Sequence, residues 1–182
     1  VGKGLPGYAD LEPRTQDLDA ASALFTEVGM TELTLITAEV VPGMSAAAQV
    51  LKQNLEAAGV TLHLDEVPAD TYYADLAALG TRPFQAFYYA NRPAAVHLAA
   101  TTHAQAPFNV TGAGEDHWTS LAAAQTLVDD TARAEAFKAM QAEFHETGGD
   151  LLWAFSYQLD AARGGIEGVV TSQGVPVFTG VA

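Results

Sequence analysis

The hydrophobic and polar positions between residues 33 and 64 follow the period of a strand, then of a helix, then of a strand again. Leu33–Thr37 is a short apolar and β-branched run, which is typical of a buried strand. Ser45–Ala58 carries apolar residues at helical spacing, and Gly59 then supplies a common helix end. Val60–Leu64 alternates apolar and polar side chains, which indicates a second strand. Two strands joined by one helix predict a right-handed βαβ unit with parallel strands.

The same patterns predict further elements on both sides of this unit. Upstream, the spacing predicts a helix from Asp17, its N-cap, to Gly29. Downstream, Asp70 is predicted to cap a third helix, and Phe84–Tyr89 is predicted to form a third strand. The remaining predicted elements lie in the second half of the chain: a short helix at 93–98, helices at 117–128 and 132–146 with Thr131 as the cap of the second, a buried strand at Leu151–Tyr157, and short strands and turns at 163–182.

These elements define the fold class as α/β, with a parallel or mixed sheet and flanking helices. Residues 1–16 are rich in glycine, proline and polar side chains and predict an irregular lead-in or linker. Residues 17–182 are then predicted to form a single α/β lobe. A chain of 182 residues is near the size at which one domain with one core is expected.

Charge and composition exclude several classes of binding partner and of chemical site. Lys and Arg number 8 against 22 Asp and Glu, a net charge of −14, so we expect no nucleic-acid partner. The absence of cysteine excludes disulfides, thiolate metal sites and cysteine nucleophiles. No apolar run approaches the roughly 20 residues of a membrane helix. The chain opens at Val1 without a signal-like segment, so we expect a piece of a longer protein.

Side chains that catalyse reactions or bind metals are present, but without the spacing that those chemistries need. The five histidines include no i, i+4 pair, and no serine lies in a GxSxG turn. The Gly112-Ala113-Gly114 segment lacks both the third glycine and the preceding strand of a phosphate-binding loop. We therefore predict no catalytic residue, no metal site and no cofactor.

A polar and aromatic cluster follows the third predicted strand, where open α/β sheets place ligand-binding residues. Tyr88 and Tyr89 are interpreted as ligand walls or as core residues, and the pattern leaves both interpretations open. Asn91 and Arg92 form a polar pair outside the strand with no predicted packing role, and a guanidinium is suited to binding a carboxylate. Trp118, at the start of a predicted helix, is interpreted as a packing anchor or as an aromatic lid over a ligand.

The order of these segments resembles one lobe of the extracellular solute-binding proteins of family 5, which serve bacterial ABC transporters for oligopeptides, dipeptides and nickel chelates. The matching segments, in chain order, are the helix and strand at 17–37, "LKQNLEAAGV" at 51–60, the tyrosine-containing helix at 71–79, the strand and turn at 87–93, the Asn109–Thr111 loop, the two helices at 117–146, the strand at 152–157 and the final "ARGGIEGVV". No single motif is diagnostic. The resemblance lies in the ordered series and covers nearly the whole chain.

The resemblance implies a hinged, two-lobed protein that captures a solute for import without altering it. The ligand would be a peptide or a similar small polar solute, and a nickel chelate or a sugar are the alternatives. Six residues are expected to contact the ligand: Tyr88, Tyr89, Asn91, Arg92, Asn109 and Trp118. In peptide-binding members an aspartate pairs with the peptide amine, and here the matching position holds Asn91, which carries no charge.

The implied partners are an N-terminal lobe, which this chain lacks, and the membrane permease of an ABC transporter. The implied location is outside the cytoplasm of a bacterium, as a periplasmic protein or a cell-surface lipoprotein. A small self-contained α/β enzyme and a stand-alone interaction module are the alternatives from other classes. The enzyme would need a base, a nucleophile and oxyanion donors in one place. The module would need an exposed apolar patch.

Overall fold

The computed structural model describes residues 1–106, 108–156, 161, 163–172 and 175–177. Within these residues the chain forms six helices and four strands. Their bounds, in chain order, are α1 (Leu18–Glu27), β1 (Glu32–Thr37), α2 (Met44–Ala57), β2 (Thr61–Glu66), α3 (Leu76–Leu79), α4 (Ala94–Thr102), α5 (Glu115–Thr126), α6 (Asp130–Thr147), β3 (Val170–Ser172) and β4 (Val175–Val177).

The predicted βαβ unit is confirmed. β1 and β2 pair in parallel, with Leu33 opposite Leu62. α2 connects them and packs Ala48 against Leu35 and Leu62, all three of which are buried. Gly59 follows the helix with a φ of 89°, a left-handed conformation that glycine adopts without a steric penalty.

The third predicted strand is shorter than expected. Gln85 pairs in parallel with Ile36 of β1, whose backbone N–H and C=O both bond to this segment at 3.1 and 2.9 Å. Further along, the backbone N–H of Tyr88 donates to the Tyr73 hydroxyl at 3.2 Å. The prediction of a strand over Phe84–Tyr89 is therefore wrong in length, because a side chain accepts the N–H that a longer ladder would have used.

Two helix starts also differ from prediction. The residues after Asp70 form turns, and Asp75 instead caps α3 by accepting two backbone N–H groups. Asp129, in place of Thr131, caps α6 by accepting the Ala132 N–H at 2.7 Å. An aspartate three residues before the donating N–H has the geometry of an N-cap, and Asp is a stronger cap than Thr. Asp17 caps α1 as predicted.

α4, α5 and α6 pack together beside the βαβ unit and form a second core. The helices predicted at 93–98, 117–128 and 132–146 are confirmed, and the first of them extends to Thr102. Two buried side chains from each helix build this core: Ala94, Leu98, Leu121, Ala124, Phe137 and Met140. The helical half therefore has apolar packing of its own.

The apolar segment after α6 is exposed. Leu151–Ser156 forms no strand, and Trp153 at its centre is 68% exposed. The prediction of a buried strand is wrong for these residues, because no strand in the described part of the chain lies beside them to pair with. Tyr157, the last residue of that prediction, lies outside the described residues. β3 and β4 pair in antiparallel fashion, which confirms the short strands predicted within 163–182 where the structure describes them.

Candidate functional site

We call residues 84–89 the third segment, because they were predicted to form the third strand. The predicted ligand cluster lies just beyond the point where this segment leaves β1. A chain of aromatic rings runs through it. Phe87 is central, with its ring centroid 4.4 Å from that of Tyr89, 5.3 Å from that of Tyr73 and 6.3 Å from that of Phe108. The outer ring of this chain belongs to His97 of α4, whose centroid lies 5.6 Å from that of Tyr89 in an edge-to-face arrangement. Such pairs prefer tilted and edge-on geometries, so the rings form a packed wall.

Tyr88 and Tyr89 have different environments. Tyr88 is 46% exposed and presents its ring to solvent. Tyr89 is partly buried, and its hydroxyl donates to the backbone oxygen of Phe108 at 3.4 Å. Burial raises the pKa of Tyr89, and the nearby Asp150 carboxylate raises it further. Tyr89 is therefore a neutral part of the wall, and Tyr88 is the tyrosine with a surface open to a ligand.

Asn91 and Arg92 also differ. The side-chain oxygen of Asn91 accepts the backbone N–H of Gly2 at 2.8 Å, so this residue has a packing role that the sequence did not predict. Arg92 is partly buried, and no carboxylate of the described residues lies within 4.0 Å of its guanidinium. A partly buried cation without a counter-charge is costly, which makes Arg92 the side chain in this turn best suited to binding an anionic group.

His97 was not among the predicted site residues, and it completes the cluster. Its ring packs on Tyr89, and its Nδ1 atom is buried without a hydrogen-bond partner among the described residues. Burial lowers the pKa of His97 to about 4, and the positive charges of the Val1 amino group and of Arg92 contribute in the same direction. The imidazole is therefore neutral near pH 7. A lone histidine in an apolar helix gave no signal of this role in the sequence.

Asn109 belongs to a loop that closes on itself. Its side-chain nitrogen donates to the backbone oxygen of His103 at 3.1 Å, and its oxygen accepts the Thr111 hydroxyl at 3.0 Å. The loop is held to the end of α6, because the Gly149 N–H donates to the Thr111 oxygen at 3.2 Å. Asn109 thus shapes the loop, and the preceding residue of that loop, Phe108, contacts the aromatic wall.

Trp118 lies on α5, apart from the turn. In the described part of the chain, no hydrogen bond or ring contact joins it to Tyr88, Tyr89 or Arg92. Its indole Nε1 is buried without a partner among those same residues. A buried indole N–H usually finds an acceptor. Among the described residues, Trp118 is an exception to this rule.

The neighbouring His117 bears on the enzyme alternative. Its Nε2 lies 3.0 Å from the Thr102 hydroxyl, the arrangement of a base beside a hydroxyl nucleophile. The Thr102 hydroxyl, however, donates to the Leu98 oxygen at 2.7 Å, and both residues are buried between helices. The hydroxyl proton is held by the helix backbone, so the pair packs α4 against α5 and does not form a reactive site.

Two surface concavities of the described residues lie elsewhere on the chain. One, of about 370 Å³, is lined by α5 and α6, and the other, of about 600 Å³, lies between residues 11–17 and the end of α6. Neither includes a predicted site residue. Within the described residues, no three His, Asp or Glu side chains are grouped to hold a metal ion. No helix in that part of the chain combines the length and apolar character needed to traverse a bilayer.

No protein-family model matches the sequence, and no curated protein matches it. Solved structures do match. A putative peptide-binding protein, AppA from Clostridium difficile, aligns with 78% of this chain at 15% identity and a TM-score of 0.67, over 31% of its own length. DppA from Helicobacter pylori, in complex with the peptide STSA, aligns with 80% of this chain at 17% identity and a TM-score of 0.65, over 30% of its own length.

NikA from Staphylococcus aureus, in complex with Ni(L-His)₂, aligns with 96% of the chain at 12% identity and a TM-score of 0.70. The match covers 39% of NikA, so the chain spans about a third of the length of these proteins. At such identities the likeness concerns the fold. The resemblance predicted from the order of segments is confirmed at that level: the chain has the fold of a lobe of the family 5 solute-binding proteins of ABC transporters.

Proposed function

We propose that this chain is one lobe of a solute-binding protein that captures a small molecule for an ABC importer. The observation that carries the proposal is the fold match itself, which reaches a TM-score of 0.70 over 96% of the chain. The matched proteins include one bound to a peptide and one bound to a nickel–histidine complex. Capture requires binding and release, without a reacting group.

The ligand-facing surface in this proposal is the turn beyond the third segment. Tyr88 offers an exposed ring, and Arg92 offers a guanidinium without a counter-charge among the described residues. Tyr89 is the wall behind them, and the loop that contains Asn109 contacts this wall through Phe108. Trp118, on α5, would reach the ligand only as a separate contact. Neither of the two concavities described above includes this surface. Ligand pockets usually bury most of the ligand, so this surface is half of a cleft.

The other half would come from a second lobe, as the resemblance implies. The exposed apolar segment after α6 supports this, because Leu151, Leu152, Trp153 and Phe155 are all more than half exposed. A contiguous apolar patch of this kind marks an interaction surface. In the proposed whole protein, ligand contacts to both lobes would stabilise a closed form that docks on the permease.

The proposed ligand is a peptide or a similar small polar solute with a carboxylate. Arg92 supports this choice, because a guanidinium binds a carboxylate in bidentate fashion. Asn91 replaces the acid that would pair with a peptide amine, so recognition of the ligand's amine is the weaker part of the site. A nickel chelate or a sugar is the alternative. A chelate would be held through its organic ligand, since the described residues include no cluster of three or more His, Asp or Glu side chains that could hold the metal.

Export from a bacterial cell, in periplasmic or lipid-anchored form, completes the proposal. The net charge of −14 is compatible with a protein that must remain soluble at high concentration. The anchoring and the permease are inferred from the resemblance. Fractionation of the native organism, followed by detection of the full-length protein, distinguishes the soluble from the membrane-anchored form.

A thermal-shift screen of the full-length protein against peptides, sugars and nickel chelates tests the proposal. A ligand that binds only the folded state raises the melting temperature, by an amount that grows with the ligand concentration. We expect a hit among carboxylate-bearing solutes, and we expect Arg92→Ala to abolish it. The matched control is Lys138→Ala, which removes an exposed cation paired with Glu135 at 2.7 Å. A hit that survives Arg92→Ala would overturn the role of Arg92, and a screen without any hit would count against solute capture.

A further inference from the structure

The first fourteen residues, which we call the strap, are fastened to the lobe at four points. The Gly2 N–H donates to the Asn91 side-chain oxygen at 2.8 Å, and the Ala94 N–H donates to the Pro6 oxygen at 3.0 Å. Further along, the Gly7 oxygen accepts the Gln141 side-chain N–H at 2.7 Å. Arg14 donates to the His145 backbone oxygen at 2.7 Å and pairs with Glu146 at 3.3 Å. The strap therefore spans from the turn at 91–94 to the end of α6.

Two glycines let the strap lie close to the turn and to the start of α4. A Cβ atom on Gly2 would lie 2.0 Å from the Asn91 side-chain nitrogen, and one on Gly7 would lie 2.6 Å from the Ala94 Cβ. Gly7 also has a φ of 77°, in the region that favours glycine. Gly2 is buried, as is Ala9. A side chain at position 2 would displace the Asn91 amide from its bond with the strap, and one at position 7 would push the strap away from the start of α4.

These contacts enclose the turn from Asn91 to Ala94. One bond fixes the side chain at the start of the turn, and the other fixes the first backbone N–H of α4. Arg92 lies between the two fixed points. The Asn91 oxygen, which is the atom of this side chain able to accept a hydrogen bond, is directed to the strap.

We propose that Asn91 is a positioning residue: together with the strap, it fixes the turn that presents Arg92, and it does not contact the solute through its oxygen. The role of Arg92 in ligand binding rests on the proposed function. The contacts between the strap and the turn, which we call the brace, do not depend on it. In this proposal residues 1–14 are an integral part of the lobe and not a linker.

Two substitutions of Asn91 test whether its side-chain oxygen fixes the strap and the turn. Asn91→Asp keeps an oxygen that accepts the Gly2 N–H, while it removes the amide N–H donors. Asn91→Leu keeps the approximate shape and removes the acceptor. A brace made by the oxygen survives the first substitution and is lost in the second. Gly2→Ala attacks the same contact from the strap, and Gly164→Ala is its control, because a Cβ there meets nothing within 4 Å.

Amide hydrogen exchange of the 182-residue chain, followed by NMR without any solute, is the experiment. Loss of one hydrogen bond is expected to speed the exchange of the Gly2 and Ala94 amides about fivefold in Asn91→Leu and in Gly2→Ala. Asn91→Asp and Gly164→Ala should retain the protection of the parent chain. Amides of β2 should exchange at unchanged rates in all four variants, which separates local loosening from general destabilisation.

The proposal is overturned if Asn91→Leu leaves both amides protected, or if Asn91→Asp loses as much protection as Asn91→Leu. General acceleration that includes β2 would also overturn it, since the contact would then support the whole fold and not the turn. Because no solute is present, these outcomes do not depend on whether the lobe binds one. A failed ligand screen and a failed brace are therefore distinct results.

Discussion

At the scale of the residue, Tyr72 joins the third segment to β1. It is fully buried, and its hydroxyl lies between the backbone oxygens of Ala86 and Ile36, to which it donates. The Arg82 guanidinium lies 4.6 Å from the centre of the ring. Burial raises the pKa of Tyr72 to about 12, so the hydroxyl remains a donor at every physiological pH. This hydroxyl bridges β1 and the third segment where the ladder between them is short.

Tyr72→Phe is predicted to destabilise the chain. The substitution removes a donor that two partly buried backbone oxygens share, which typically costs about 1 kcal/mol. Urea denaturation at pH 7 measures the change in the free energy of unfolding. Tyr88→Phe is the matched control, because that residue is 46% exposed. Equal stability losses in the two variants would contradict the bridging role of Tyr72.

His97 is predicted to make the chain less stable as the pH falls from 6.5 towards 4. Its pKa is lowered from 6.5 to about 4 in the folded chain, so the unfolded chain binds more protons in this window. Stability is therefore greatest above the unfolded pKa and decreases as the pH drops. His117 acts in the same direction, since burial lowers its pKa as well. Denaturation midpoints measured between pH 7.5 and 4.5 follow the effect.

The variant His97→Gln should flatten this pH dependence, and His103→Gln, which changes an exposed histidine, should retain it. Measurements above pH 4.5 avoid most of the titration of the carboxylates. If His97→Gln keeps the full slope, the buried imidazole is not its source.

At the scale of the element, the N-terminus of α2 is capped from within the chain. The two carboxylate oxygens of Glu39 accept the N–H groups of Gly43 and Ser45 at 2.6 and 2.7 Å. These backbone bonds lower the pKa of Glu39. A carboxylate at this position satisfies orphan N–H groups and interacts favourably with the helix dipole. The crossover helix of the βαβ unit is thereby fixed at its first turn.

Glu39→Gln is predicted to lower the melting temperature by a few degrees at pH 7. Because the pKa of Glu39 is lowered in the folded chain, its contribution is present above the unfolded pKa and is lost as the pH falls through the folded value. The difference between the parent chain and the variant should therefore narrow in acid. Glu56→Gln, which removes a weak 4.0 Å pair with Lys52, is the control. A difference that stays constant down to pH 3 would contradict the carboxylate cap.

The helices differ in what they bury, and a pair of leucines tests this. Leu121→Ala in α5 empties a fully buried position in the core of the three helices and is predicted to cost about 3 kcal/mol. Leu24→Ala in α1 changes a side chain that is 62% exposed and is predicted to cost less than about 0.5 kcal/mol. Chemical denaturation of both variants gives the comparison. A large loss for Leu24→Ala would show that α1 packs against the lobe in solution.

The sequence predicts elements best where their cause is local. The βαβ unit and the cap at Asp17 follow from the periodicity and chemistry of a few adjacent residues, and both are confirmed. The third strand and the strand at Leu151–Tyr157 depend on partners distant in sequence. The third strand is short because the Tyr73 hydroxyl accepts the Tyr88 N–H. Residues 151–156 form no strand, and no strand of the described residues pairs with them. Apolar composition alone does not reveal whether such a partner exists.

The same distinction applies to the candidate site. The turn that contains Tyr88 and Arg92 could be located from its position after a strand, because that position is a property of the fold. The contact between Asn91 and Gly2 joins residues 89 positions apart, and the contact of His97 with Tyr89 depends on the placement of α4. Neither could be read from spacing.

At the scale of the whole molecule, the described residues bury apolar side chains in some places and leave them exposed in others. The βαβ unit and the three-helix group each bury apolar side chains, while α1 and the segment after α6 leave theirs exposed. The residues of the aromatic wall and Arg92 are partly buried. In the matched structures the corresponding fold makes up about a third of the chain. If the proposed function is right, these exposed parts would face a second lobe.

Calorimetric titration of a solute identified by the screen, into the full-length protein and into the 182-residue chain, tests this account most directly. The account predicts binding by the full-length protein and, because half of the cleft is missing, an affinity lower by at least about 100-fold for the chain alone, equivalent to about 2.7 kcal/mol. Equal micromolar binding by the chain alone would contradict the account, since the site would then be complete within this lobe.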